Sequence, residues 1–363
     1  MDMPNDIVEA IFLRLSVFDI ARARAVCKFW NRVLCNREFL VRHGESNNDD
    51  SVALFSHNLT ARKKNISLYS DASSSWRPVS LDFVPSEFTD MIAADGGLLC
   101  IGGHFHGDYI VCVCNPVSKT YKILPRIDSI PYFPSAAMVT KKHKIDGECS
   151  YKIAILLLDA VAVISSSSST WVKFKSVRPS FRKSPVMCNG VLYSLHHIRS
   201  PWRSNWRLVY TKLDNPFCRE AWCELNHRNG GGIIDILHQP CLLESRGCLL
   251  LVGGLRHLRT TDLRVALIIL KLDLTTLEWC EAARMPDELY RQFDSKEDFS
   301  ICSHNGNVYF LNKSSSALVV CKFLNVEDGG VWQWIEDCPL RSSSNIPFLS
   351  KAFALKLSHG WIS

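Results

Sequence analysis

The chain has 363 residues, 47% hydrophobic and 10% aromatic, with 42 basic against 36 acidic side chains and a net charge of +6. This composition suits a globular chain with room for one large domain and a small module, and it excludes disordered and fibrous classes. The longest apolar runs, Ile153 to Leu158 and Val265 to Leu270, are strand-length and far short of the ~18 residues of a membrane span, so no membrane partner is expected. No charged and apolar leader stands before Pro4, which places the expected location in the cytoplasm, the nucleus or both.

The first stretch, Met3 to Leu34, carries the helical pattern. Ile7, Ile11 and Leu15 recur at i, i+4 and i+8, and Val8 with Phe12 forms a second apolar row beside them. Pro4 sits where a missing N–H costs little, and Asp6 with Glu9 has the spacing of a capping box. A second helix is expected from Asp19, read as its N-cap, through Ile20, Ala23 and Cys27. A third carries Trp30, Val33 and Leu34. Three helices this short cannot hide so much apolar surface among themselves, so they need a partner.

In order, Met3-Pro4, Asp6-Ile7, Ile11, Leu13, Leu15, Val17, Asp19-Ile20, Arg22, Arg24, Val26-Cys27-Lys28, Trp30 and Leu34 resemble the F-box. That module docks on the Skp adaptor of cullin-based ubiquitin ligases. Met3 stands where the family usually has Leu, and Ser16 where it usually has Pro, which gives up some rigidity at the first turn. The resemblance implies a Skp-family adaptor, and through it a cullin, as partners. The adaptor-facing residues it implies are Pro4, Ile7, Ile11, Leu15, Ile20, Val26, Cys27 and Trp30.

The helical pattern stops at Arg42, His43 and Gly44, cations in a last turn followed by glycine. The module is therefore assigned to residues 1–43. The polar run ESNNDDS makes residues 44–50 a linker, and residues 51–363 form the larger domain. Fifteen cysteines make an odd count in a large chain without any C-x-x-C, so buried free thiols are expected rather than disulfides or zinc. His104, His106, Cys112 and Cys114 could face one ion if all shared a sheet face, but IVCVCNP reads as a core strand, and no metal or other cofactor is assigned.

From Ser51 onward a unit repeats: a Gly-led apolar strand, a polar loop, an apolar strand, then a short strand with an aromatic. It appears as DGGLLCIGG, IVCVCNP and TYKIL; as NGVLYSL, RLVYTKLD and AWCEL; as GCLLLVGG, VALIILKLD and LEWCE; and as NGNVYFL, ALVVCKFL and VWQWIE. YKIAILLL, AVAVIS and TWVKF form a member without the Gly pair. Trp76, Tyr121, Trp171, Trp222, Trp279 and Trp332 mark the units at spacings of 45, 50, 51, 57 and 53 residues, close to the ~50 of a kelch blade.

Short antiparallel strands in radial repetition predict a β-propeller, and six aromatic anchors predict six blades. The uneven Gly pairs leave seven blades or an irregular ring open. The first unit lacks an inner strand, and Lys351 to Leu357, with Phe353, Leu355 and Leu357 on one face, is predicted to supply it and close the ring. The Gly, Tyr and Trp signals are similar to kelch repeats. Together with the N-terminal module they resemble plant-type F-box/kelch-repeat proteins: an all-α F-box followed by an all-β propeller.

Motifs for catalysis are missing. There is no G-x-S-x-G, H-E-x-x-H or P-loop, and NGGG at 229–232 lacks the Lys and helix that would hold phosphate. Some kelch propellers are copper oxidases, but an F-box belongs to the ubiquitin system, so the resemblance implies a non-catalytic receptor that works by proximity. A scaffold or transcriptional cofactor outside any ligase is the alternative. Lys141 to Lys144 and Arg62 to Lys64 are too short to argue for direct nucleic-acid binding.

If each Gly-led strand is second of four, the loops after them share one rim. RSPWRSNWR brings Arg199, Arg203 and Arg207 with Trp202 and Trp206. LRHLRTTDLR adds Arg256, Arg259 and Arg264, and the first such loop adds His104 and His106. Arginine and tryptophan dominate binding hot spots, and clustered guanidinium groups suit carboxylates and phosphates, so this rim is the expected site for an acidic or phosphorylated segment of a protein substrate.

Overall fold

The structure, a computed structural model, describes residues 5–46, 50–58, 63–71, 73–127, 134–142, 149–175, 182–199, 204–213, 222–225, 234, 237–256, 264–293, 299–312, 315, 317–323, 330–339 and 348–356. Four helices come first: α1 (Asn5–Phe12), α2 (Val17–Ala23), α3 (Lys28–Leu34) and α4 (Arg37–Ser46). Val8, Phe12, Ile20, Ala23, Leu34 and Phe39 form their core, with Trp30 meeting Phe12 edge-on at 5.0 Å.

Two expectations about this module change. The fourth helix runs through the stretch read above as a helix stop and the start of a linker. His43 is fully buried and donates from Nε2 to the Leu15 carbonyl at 2.8 Å, and Arg42 pairs with Glu9 of α1. Gly44 inside a helix costs about 1 kcal/mol relative to alanine, and these tertiary contacts offset that cost. The N-cap of α2 is Ser16, not Asp19. The Ser16 oxygen accepts the Asp19 N–H at 3.2 Å while its hydroxyl donates to Asp19 Oδ2 at 2.6 Å. The residue that departs from the family's proline thus starts the helix by another route.

The rest is a ring of six four-stranded antiparallel sheets. Blade 1 begins with β1 (Asp50–Asn58), β2 (Lys63–Ser70) and β3 (Ser75–Ser80). Blade 2 is β4 (Phe88–Asp95), β5 (Leu98–Phe105), β6 (Asp108–Asn115) and β7 (Thr120–Ile123). Blade 3 is β8 (Ala136–Lys142), β9 (Cys149–Leu156), β10 (Ala160–Ser165) and β11 (Val172–Lys175). Blade 4 is β12 (Arg182–Cys188), β13 (Val191–Arg199), β14 (Ser204–Lys212) and β15 (Cys223–Glu224). Blade 5 is β16 (Leu237–Ser245), β17 (Cys248–Arg256), β18 (Arg264–Asp273) and β19 (Glu278–Arg284). A short helix, α5 (Asp287–Phe293), precedes blade 6, which is β20 (Phe299–His304), β21 (Asn307–Asn312), β22 (Leu318–Lys322) and β23 (Val331–Ile335). Finally β24 (Phe348–Lys356) returns to blade 1 and pairs with β1 from Asp50↔Lys356 to Asn58↔Phe348.

The first strand of each blade meets the first strand of the next, from β4 through β8, β12, β16 and β20 to β24 and back to β4. These six strands line the middle of the ring, and β24 supplies the inner strand that blade 1 lacked. One apolar cluster fills each of the six gaps between blades. Packing is therefore continuous around the ring, and the inner edge of each sheet is short and faces the middle, where the neighbouring inner strands shelter it.

Why glycine leads the second strand is now clear. The hairpins from first to second strand turn at Gly96-Gly97, Asn189-Gly190, Arg246-Gly247 and Asn305-Gly306, with φ positive at both positions of each pair, between +49° and +91°. That is the two-residue primed turn that matches strand twist, and glycine enters it without steric penalty. The aromatic anchors have their own geometry. Each stands at or just before the outermost strand, where neighbouring blades splay and the gap needs a large side chain. Trp76, Trp171, Trp222, Trp279 and Trp332 all enter the cluster shared with the preceding blade. Trp76 and Trp171 also donate from Nε1 across the gap to the carbonyls of Glu336 and Pro125, at 3.1 and 2.8 Å. Tyr121 does not follow. It is 43% exposed on β7 and anchors nothing.

Candidate functional site

The two apolar rows of α1 separate in space. Val8 and Phe12 point into the module's core, whereas Ile7 and Ile11 are 51% and 48% exposed. Val26 is exposed after α2, and Phe29 is exposed in the first turn of α3, which Cys27 caps by accepting the Trp30 N–H at 3.4 Å. Four of the ten large apolar side chains exposed among the described residues thus fall between positions 7 and 29. An apolar concentration of this kind on a small module marks an interaction surface.

The residues singled out from the sequence divide accordingly. Ile7, Ile11, Val26 and Cys27 face outward, and Leu15 and Trp30 are half-buried against the core. Ile20 is fully buried; a helix of seven residues has one inward face, and Ile20 is on it, holding the helices together rather than meeting a partner. Pro4 lies outside the described residues. Phe29 was missed, because beside Trp30 it reads as the lesser aromatic and only the helix phase shows which of the two turns outward.

The module is seated on the propeller. Val17 enters the cluster between blades 1 and 2, together with Phe55, Leu68 and Val79, and Phe18 packs at its edge. Arg77 of β3 lies over the Phe18 ring at 5.1 Å and donates from Nη1 to Ser16 Oγ at 3.2 Å. Only residues 47–49 separate α4 from β1.

At the rim, β5, β13 and β17 all run the same way, so His104, Arg199 and Arg256 come to one side of the ring at or next to the ends of those strands. The tip after β5 is a two-residue turn at His106-Gly107, with φ of 50° and 91°. His104, Phe105 and His106 are all exposed there, Phe105 and His106 meeting edge-on at 4.2 Å. Trp206 is a correction. It is 8% exposed, lies 4.7 Å from the His197 ring with Lys183 Nζ 4.3 Å above it, and belongs to the core between blades 4 and 5. Arg207, half-buried, faces Glu224 at 3.5 Å, so part of its charge is already answered within blade 4. Trp202, Arg203 and Arg259 lie outside the described residues, and of Arg199 and Arg256 only the backbone is described.

The His/Cys pairs cannot share an ion. Cys112 and Cys114 turn toward blade 1, while His104 pairs with Tyr109 on the opposite face of the same sheet, its ring 5.1 Å from the Tyr109 ring. Burial pushes the Cys112 and Cys321 thiols up to about 12 and Cys188 to about 11, so they stay protonated and are poor nucleophiles and ligands. Thirteen cysteines are described, all as free thiols, seven of them buried. Among the described residues no three His, Cys, Asp or Glu side chains are grouped to hold a metal, and no helix is long and apolar enough to cross a membrane.

An N-terminal helical module with an outward apolar row stands on a six-bladed propeller, and because residues 1–42 match the F-box domain the chain is an F-box protein. The chain belongs to the plant F-box family that includes SKP1-interacting partner 15 of Arabidopsis thaliana, with 30% identity over 362 residues, covering 93% of this chain and 92% of that one. An F-box/kelch-repeat protein of the same plant is 22% identical over 387 residues, covering 99% and 87%. Among solved structures, a nidogen/laminin complex matches with a TM-score of 0.53 at 10% identity, covering 85% of this chain and 99% of that one. TolB from Acinetobacter baumannii matches at 0.51 and 8% identity, covering 85% and 67%. At such identities these two speak for the propeller fold alone.

Proposed function

We propose that this chain is the substrate-receiving subunit of a Skp-cullin-F-box ubiquitin ligase. The exposed row of Ile7 and Ile11, with Val26 and Phe29, carries the reading: it is the surface a Skp adaptor would cover, and the relative named for interacting with SKP1 spans nearly the same length. The propeller holds the target, and the adaptor brings a cullin and a conjugating enzyme, so the chain acts by raising local concentration and needs no catalytic group of its own. The target's degradation by the proteasome follows from its ubiquitination, in the cytoplasm or nucleus. The target is held on the rim of His104, Arg199, Trp202, Arg203, Arg256 and Arg259 through an acidic or phosphorylated segment. Trp206 and Arg207 leave that set because blade 4 already uses them.

The test is affinity capture from cells under proteasome inhibition, comparing the natural chain with an Arg199→Glu, Arg203→Glu, Arg256→Glu variant. Retained adaptor with loss of a specific set of captured proteins is the expected result. Failure of the natural chain to retain adaptor and cullin would refute the ligase reading; an unchanged captured set in the variant would move the target to another surface.

A further inference from the structure

Where α2 and α3 meet the propeller, a cleft of about 560 Å³ opens between the module and blades 1 and 2. Ligand clefts gather at such junctions and run from about 300 to 1,000 Å³. One wall is Phe18, Ala21 and Ala25 from α2 and the turn after it; the other is Pro78 and Val79 of β3 with Val117 from the turn between β6 and β7. Small and rigid apolar side chains leave room here for a flat or branched apolar body.

The charged lining is of one sign. Arg22, Arg24 and Lys119 border the cleft, and no carboxylate lines it among the described residues. Arg24 is aimed by its Nε–H, which donates to Asn31 Oδ1 at 3.3 Å. Lys119 is placed by a fixed turn: Asn115 Oδ1 accepts the N–H groups of Val117 and Ser118 at 2.8 and 3.2 Å, and Lys119 itself sits at φ 54°. Arg22 has Asp19 at 3.4 Å, but both side chains are well exposed, and such a pair is screened and weak. Asn31, Ser80 and Ser118 add neutral hydrogen-bonding groups. Cations from both units thus border an apolar floor that, among the described residues, no carboxylate lines.

We propose that this cleft binds a small anion with an apolar body: an aryl or alkyl carboxylate, sulfonate or phosphate ester. Its head meets Arg24 and Lys119, one from each unit, and its body lies on Ala21, Ala25 and Val117. Because the walls belong to different units, occupancy ties the F-box more firmly to the propeller. Its lining shares no residue with the exposed row of Ile7, Ile11, Val26 and Phe29 or with the substrate rim, and its test stands whether or not the chain serves a ligase.

The probe is anilinonaphthalene sulfonate, an aromatic sulfonate whose fluorescence rises in an apolar site, titrated into the full chain. All arms carry Ile7→Ser and Ile11→Ser, so that the exposed row does not compete for dye. Expected are a saturable component displaced by phenyl phosphate and an affinity at least tenfold weaker in an Arg24→Gln, Lys119→Gln variant of unchanged melting temperature. An Ala21→Trp variant, which fills the floor and leaves both cations, should lose the same component. Dye that phenyl phosphate does not displace, or a component that persists in both variants, would overturn the proposal.

Discussion

Replacing Ile7 and Ile11 together by serine should weaken adaptor binding without harming the fold. The two side chains are 51% and 48% exposed, so about half of each remains to be hidden by a partner. Full burial of an isoleucine is worth about 1.5–3 kcal/mol, which leaves roughly 0.75–1.5 kcal/mol for each half-exposed residue. The pair then contributes about 1.5–3 kcal/mol, or roughly a 10- to 150-fold change in Kd. The measurement is calorimetric titration of the full chain with purified Skp adaptor, beside a melting curve of each variant. Surface substitutions away from special features usually stay within about 0.5 kcal/mol of stability, so the melting temperature should hold. Ile20→Ser is the contrast: that side chain is fully buried, and its loss should unfold the module rather than merely weaken docking. A change in Kd below about threefold for the double variant would show that the exposed row is not the docking face.

Removing residues 348–363 takes away β24 and leaves β1 and the inner faces of the neighbouring blades uncovered; gel filtration should show aggregates, and a cooperatively melting monomer would contradict ring closure. Trp171→Ala removes a partly buried ring from the edge of the cluster between blades 2 and 3, together with its Nε1 bond to Pro125, and should cost about 2–3 kcal/mol in urea unfolding, below the ~3–5 of a fully buried tryptophan, whereas Tyr121→Ala, on an exposed strand, should cost under about 0.5 kcal/mol. His57 adds a pH dependence. Burial first, and Lys64 second, lower its pKa below the ordinary 6.5, so the unfolded chain takes up a proton that the folded chain refuses. Stability from this residue is present above pH 6.5 and declines as pH falls below it. His57→Gln should flatten that decline in melting temperature, and an identical slope in both proteins would rule the residue out.

The propeller was readable because its repeat is written in residues that geometry demands. Glycine marks primed turns, and the tryptophans mark the widening gaps, so spacing pointed to six blades while leaving seven open, and the missing inner strand of the first unit called for a closing strand. Tyr121 shows the limit of that reading: its spacing is right, yet the β7 edge turns it outward, and spacing carries no sign for that. The helical module was legible in order but not in phase. Both apolar rows of α1 looked alike, and only packing against Leu34 and Phe39 decides that Val8 and Phe12 go inward. The α4 helix was hidden for a related reason, since Arg42, His43 and Gly44 are local stop signals that the Glu9 and Leu15 contacts override. Trp206 looked like a rim anchor because its loop is basic, but its strand register places it in the core beside His197.

The pairing of β24 with β1 joins positions some 300 residues apart, as Ser51 with Leu355 shows. During synthesis the helical module is complete after its first few dozen residues, and its own contacts, up to Glu9 with Arg42, lie within that stretch, so it can form before the ring. Blade 1 has to wait until β24 leaves the ribosome, with the inner edge of β1 unpaired throughout. For that whole interval the nascent chain displays the exposed apolar row of its first module above an unfinished ring. Val17 and Phe18, which rest on blades 1 and 2, meet their finished seat only at the end. A message cut short upstream of residue 348 would therefore yield a chain whose first module can form while the ring that should hold a target cannot close.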